Sequence, residues 1–171
     1  MRQVERVRNF ILVGSLLVVL FWSLPSFGSS IDSKKYSRVI WNYLETLCAF
    51  GPRNPGSEGY QSSLDLIRRE GKKYADQVLE YPFLVRTSTS SSQEMVNLEF
   101  RFHGTKGGTP ILIGAHFDTR PFADEDSNPE KLLEPIMGAN DGGSGTAVLL
   151  GIAQYLNQHP VARPVHLVFF D

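Results

Sequence analysis

Apolar residues recur at helical spacing from Tyr36 through Val39, Ile40, Tyr43, Leu44 and Leu47, and the pattern stops at Gly51-Pro52. This spacing predicts an amphipathic helix whose apolar stripe packs on a core. Ser57 is placed to cap a second helix that buries Tyr60, Leu64 and Ile67, with Gly71 expected to weaken its last turn. Val78 to Val85 then reads as a strand, and Pro82 within it favours an edge position. The Ser/Thr-rich stretch 87–92 reads as a mobile polar connector. Met95 to Phe102 predicts the next strand, and the glycine-rich run 103–108, with His103 as a turn residue, leads into a strand from Pro110 to Ala115. A helix from about Ser144 to Asn157 is expected to bury Val148, Leu149, Ile152 and Leu156. The fully apolar Val165 to Phe170 is expected to be a central strand, with His166 structural. Strands alternating with helices place residues 33–171 in the α/β class as one domain.

The first thirty residues follow another logic. Arg2, Arg6 and Arg8 precede the apolar run Phe10 to Leu24, then Pro25 and the small residues Ser26 to Ser30. This is the order of a secretory signal with a cut after Gly28. An uncleaved membrane anchor fits the same residues, since arginines flanking a short apolar helix keep its N-terminus inside. Either reading, over residues 1–28, expects the folded part to be exported, periplasmic or extracellular, with membrane contact only through this segment. The net charge of −1 over 171 residues gives no electrostatic case for nucleic acid. The single Cys48 cannot pair within the chain and reads as a small core residue.

Candidate chemistry lies in GAHFDTRPFADED at 114–126 and GANDGGSG at 138–145. His116 and Asp118 follow the apolar run Ile111-Leu112-Ile113, and alternate residues of a strand share a face. An imidazole nitrogen and a carboxylate oxygen are good zinc ligands, and a catalytic zinc takes about three protein ligands with one position open. His116 and Asp141 can supply two of these, while Asp118 can accept the other ring N–H and fix the tautomer. The ordinary alternatives are a surface hydrogen bond for His116-x-Asp118 and a helix cap or turn role for Asp141. A site is favoured because both runs fall at the end of a strand or the start of a helix, where open α/β sheets bind ligands. The acidic stretch 119–137 reads as a solvated loop near the rim, with Glu125 and Asp126 in water and Arg120 held by a neighbouring carboxylate.

The ordered set GPRNPGSEGY (51–60), VNLEF (96–100), GAHFDTRPFADED (114–126), PIMGANDGGSGTAVLLGIA (135–153) and VHLVFFD (165–171) resembles the M28 metallopeptidase superfamily. Within it, the 51–60 run and Thr119 to Asp124 resemble the glutaminyl-peptide cyclotransferase branch most. The resemblance implies a zinc-exopeptidase-like fold, a three-layer α/β/α sandwich around a mixed, mostly parallel sheet. It implies one or two Zn2+ ions, with Asp141 as the metal carboxylate, bridging two zincs in dinuclear members and binding one in mononuclear ones. His116 would bind the second zinc of a dinuclear site, and in mononuclear members can sit unliganded. Asp118 would be the catalytic-site carboxylate that orients His116. The family places a Glu-Glu pair just after a strand like VHLVFFD, so the chain is read as the N-terminal part of a longer enzyme, inactive by itself. The function implied is cyclisation of an N-terminal glutamine to pyroglutamate on a peptide or protein substrate. A zinc aminopeptidase and a non-catalytic binding ectodomain are the alternatives.

Overall fold

The helical stripe at the N-terminal side folds as α1 (Ser33–Ala49), with Tyr36 and Leu47 buried and Ile40, Tyr43 and Leu44 partly so. The computed structural model describes residues 31–87 and 90–171. The expected leader, 1–28, lies outside the described residues. Among them, no helix is long and apolar enough to cross a membrane.

Helix α2 (Glu58–Tyr74) begins as its sequence predicts. The Ser57 hydroxyl accepts from the Tyr60 amide at 3.1 Å, and Tyr60, Leu64 and Ile67 are all buried. Gly71 does not loosen the last turn, because the helix runs on to Tyr74. A β-carbon at Gly71 would stand 2.4 Å from the Phe100 ring, so the missing side chain is what lets α2 lie close on the sheet.

Strands β1 (Gln77–Thr87) and β2 (Ser90–Phe102) form an antiparallel hairpin. The expectation of a connector over 87–92 is therefore corrected. Residues 90–92 are strand, because the ladder that pairs Val85 with Gln93 continues, past a shift in register, to pair Thr87 with Ser90. After β3 (Ile111–His116), helix α3 (Gly145–Gln158) crosses over to β4 (Val165–Phe170), which lies parallel to β3. The sheet order is β1-β2-β4-β3, with β2 and β4 antiparallel. Pro82 thus sits on an edge strand and Val165 to Phe170 on a central one, as the sequence predicts.

Helices α2 and α3 cover the sheet face built from Leu98, Phe100, Phe102, Leu167 and Phe169, all buried, and α1 packs on α3. These residues form the sheet and one helical layer of an α/β sandwich with a mixed sheet. In α3 the buried side is Ala147, Leu149, Leu150, Ala153 and Leu156, while Val148 is exposed and Ile152 half-buried. The expected stripe was rotated: Gly145 packs on Ala115 and Gly151 on Ile40, and these small residues turn the 147/150/153 face inward. The other sheet face carries a polar cluster. Glu99 accepts from the Tyr81 hydroxyl at 2.6 Å and from Arg101, and its Oε1 lies 2.7 Å from His166 Nδ1, which gives His166 the structural place its strand setting predicts.

Candidate metal centre

Strand β3 delivers His116 at its last residue, and pairing with β4 continues one step further through the Phe117 amide, which donates to the Phe170 carbonyl at 2.9 Å. Phe117 is buried and its ring lies 5.5 Å from that of Tyr60. With Phe117 anchored inside, His116 and Asp118 on either side of it both turn outward. The strand ends before Asp118, yet Asp118 Oδ1 still lies 3.1 Å from His116 Nδ1. The α3 end is tied to the same place, since Thr146 Oγ1 donates to the His116 carbonyl at 3.0 Å.

Asp141 arrives from a wide turn, Ala139–Ser144, that precedes α3. Its own backbone is extended (φ −81°, ψ 107°), and Gly142 follows at φ +83°, which reverses the chain and projects the carboxylate away from the helix. Gly142 is required twice over. Its φ disfavours any side chain, and a β-carbon there would lie 2.6 Å from the Asp118 carbonyl and 3.2 Å from the His116 ring. The close approach brings Asp141 Oδ1 to 2.9 Å from His116 Nε2. α3 has no side-chain cap, so a capping role does not account for Asp141.

The donor chemistry of this group fits a cation. Both neighbours of the His116 ring are carboxylates, which accept, and a neutral imidazole carries one N–H. If that N–H goes to Asp118, the Nε2 lone pair faces an Asp141 oxygen lone pair, an arrangement that a cation bound between them satisfies, as a second ring proton also does. Zinc bonds of about 2.0–2.2 Å in a tetrahedral site put neighbouring ligand atoms about 3.3 Å apart, a few tenths of an ångström wider than the observed gap. His116 and Asp141 can therefore hold one metal between them, with Asp118 setting the ring. Among the described residues, no three His, Cys, Asp or Glu side chains converge so that all could hold one metal ion.

The loop that follows behaves as its charge pattern predicts. Arg120 Nη1 pairs with Asp124 at 2.8 Å and with Glu125 at 3.4 Å. Glu125 and Asp126 are exposed, and Asp126 Oδ1 accepts from the Asn128 amide.

Three residues of the site region carry roles that pattern reading did not assign. Arg53, wholly buried, donates from Nε to the Phe117 carbonyl (2.8 Å), from Nη1 to Met137 (2.9 Å) and from Nη2 to Gly138 (2.7 Å). Burial lowers its pKa from the usual arginine value, opposed by the charges of Cys48, Asp118 and Asp141. Tyr60 donates its hydroxyl to Asp171 Oδ2, which also accepts from the Val96 amide at 2.8 Å, while Asp171 Oδ1 is buried without a partner. Burial pushes the Asp171 carboxyl above the ordinary aspartate range, the Asp118 charge adds to this, and the bonds from Tyr60 and Val96 oppose it. The available signal was positional: Arg53 and Tyr60 both lie in the 51–60 run, but nothing local in a sequence says which carbonyls an arginine will meet.

Comparison with known proteins gives this geometry a family. Residues 97–171 match the profile of Peptidase family M28. That segment is similar to the family over its whole length. The family segment holds all three residues of the His116, Asp118 and Asp141 group. The structure is similar to Tannerella forsythia glutaminyl cyclase with a TM-score of 0.73 at 32% identity, covering 78% of this chain and 46% of that one. A Zn-dependent exopeptidase from Parabacteroides distasonis gives a TM-score of 0.72 at 30% identity, covering 78% of this chain and 46% of that one. Aminopeptidase YwaD of Bacillus subtilis is 24% identical over 132 residues, 77% of this chain and 26% of that protein. The chain thus spans about half the length of the structural relatives and a quarter of the curated one. The mixed sheet with its flanking helices is the zinc-exopeptidase-like α/β fold.

Proposed function

We propose that the protein is a zinc-dependent glutaminyl-peptide cyclotransferase, which closes an N-terminal glutamine to pyroglutamate and releases ammonia. The observation that carries the metal is the meeting of His116 Nε2 and Asp141 Oδ1 at 2.9 Å with Asp118 on the opposite ring nitrogen. The choice of cyclisation within the family is supported by the 51–60 and 119–124 runs and by the likeness to the Tannerella forsythia glutaminyl cyclase.

In this reading Asp141 and His116 are the residues that would hold the metal. A zinc ion there supplies a Lewis acid that polarises the substrate's γ-amide carbonyl. Asp118 would accept a hydrogen bond from the Nδ1–H of His116, which would leave the Nε2 lone pair for the metal and restrain rotation of the ring. Gly142 keeps the floor of the site bare, so that only hydrogen stands where a side chain would touch the imidazole. Attack of the α-amine on the γ-carbonyl forms the ring C–N bond, breaks the bond to the amide nitrogen, and transfers the amine proton to the departing ammonia. The substrate is the N-terminus of a peptide or protein. The leader-like segment 1–28 supports an exported site of action.

An aminopeptidase is the second reading, favoured by the likeness to aminopeptidase YwaD and to the Zn-dependent exopeptidase. The same platform would then serve attack by water on the first peptide bond. One assay separates them, using the full-length protein without its leader, loaded with zinc and given a Gln-initiated peptide. Ammonia release with the peptide chain intact supports the cyclotransferase. Release of free glutamine supports the aminopeptidase, and turnover of neither kind refutes both.

A further inference from the structure

The two segments that carry the His116–Asp141 pair are separated in sequence and are joined by one side chain that belongs to neither. Arg53 reaches between them: its Nε is bonded to the carbonyl of Phe117, the residue between His116 and Asp118, and its Nη2 to the carbonyl of Gly138, which opens the turn that presents Asp141. Nη1 holds Met137 on the same turn. The Gly138 carbonyl also accepts from the Gly143 amide at 3.0 Å, so the turn closes around the atom that the guanidinium grips. Arg53 is itself fixed by its backbone, whose N–H donates to Thr119 Oγ1 at 2.9 Å and whose carbonyl accepts from the Thr119 amide at 3.2 Å.

A planar guanidinium is suited to this task because its donors lie in one fixed fork, and the distance between the carbonyls it holds is therefore fixed as well. A lysine ammonium in the same place reaches fewer acceptors and sets no such spacing. The positive charge also sits behind the acidic pair, and Asp118 and Asp141 attract it.

We propose that Arg53 is a positioning residue for the metal centre, holding the His116 segment and the Asp141 turn at the separation that lets both reach one ion. This rests on the metal-centre reading above. The test measures three quantities on full-length protein, its Arg53→Lys, Thr119→Val and Asp141→Ala variants: zinc affinity by competition with a chromophoric chelator, the visible d–d spectrum of the Co2+-substituted protein, and the melting temperature of the metal-free protein. Arg53→Lys is expected to weaken zinc binding by roughly 10–100-fold, as loss of a residue supporting metal ligands does, and to shift the cobalt bands at a temperature where the protein is folded. A purely structural arginine would lower the melting temperature and leave affinity and spectrum as they were, which overturns the proposal. Where Arg53→Lys does not fold, Thr119→Val decides, since it loosens Arg53 with little change of shape: weaker zinc binding supports the proposal, and unchanged binding overturns it. Zinc binding by wild type that is lost in Asp141→Ala but kept in Arg53→Lys removes only this inference. Wild-type protein that takes up no zinc removes the metal-centre reading and this inference together.

Discussion

Asp118 Oδ1 stands 3.1 Å from His116 Nδ1, one residue beyond the end of the β3 ladder. In the tautomer that can bind a metal the N–H goes to Asp118, and Nε2 is left to face Asp141. An Asp118→Asn variant can turn its amide N–H₂ toward Nδ1, which moves the ring proton to Nε2 and closes the position meant for the metal. Zinc affinity should fall by roughly 10–100-fold with the fold intact, as read by chelator competition beside circular dichroism. Affinity equal to wild type would show that Asp118 does not govern the ring.

Gly71 sets two effects against each other. Replacing a mid-helix glycine by alanine ordinarily stabilises by about 0.5–1 kcal/mol. Here the new methyl would lie 2.4 Å from Phe100 Cε1 and 3.0 Å from Val78 Cγ2, both from side chains packed in the core. Overpacking of this kind costs about 1–3 kcal/mol, so Gly71→Ala should be net destabilising in a urea melt. A stabilised variant would show that α2 can lift off the sheet without loss.

Most of the fold was legible because its elements obey local rules. The Tyr36-to-Leu47 stripe, the Ser57 cap and the edge placement of Pro82 each follow from the chemistry of a few neighbouring residues. The site group was legible for a related reason: His116 and Asp118 sit at a strand end and Asp141 beside glycines, and the structure brings all three together. What was not legible depended on distant partners. The face of α3 was set by Ala115 and Ile40, whose approach to Gly145 and Gly151 left Val148 outside. Among the described residues β3 pairs on one side only, and its apolar run Ile111-Leu112-Ile113 is exposed. Arg53 is inconspicuous within the 51–60 run, since its importance lies in carbonyls of two remote segments.

The cluster around Glu99 predicts an acid limb to stability. Burial pushes the Glu99 carboxyl up, but hydrogen bonds from Arg101 and Tyr81 and the charges of Arg101 and His166 outweigh it, and its pKa is held below the ordinary glutamate value. A carboxylate with a folded pKa below its unfolded one stabilises the fold above the unfolded pKa and loses that contribution as pH falls through the folded one. Melting temperature should therefore be flat near neutrality and decline from about pH 5 downward. Glu99→Gln should lower stability at pH 7 by about 1–3 kcal/mol, the scale of hydrogen bonds to a charged group, and show a shallower acid decline. Parallel declines in the two proteins would contradict the assignment.

The account stands on one ion shared by an imidazole and a carboxylate. Its most direct test is a zinc-soaked crystal of the full-length protein, with anomalous data collected on both sides of the zinc edge. The predicted result is a peak about 2.0–2.2 Å from both His116 Nε2 and Asp141 Oδ1, absent from Asp141→Ala crystals. A peak held by Asp141 with the His116 ring turned away, or no peak near either residue, would contradict it.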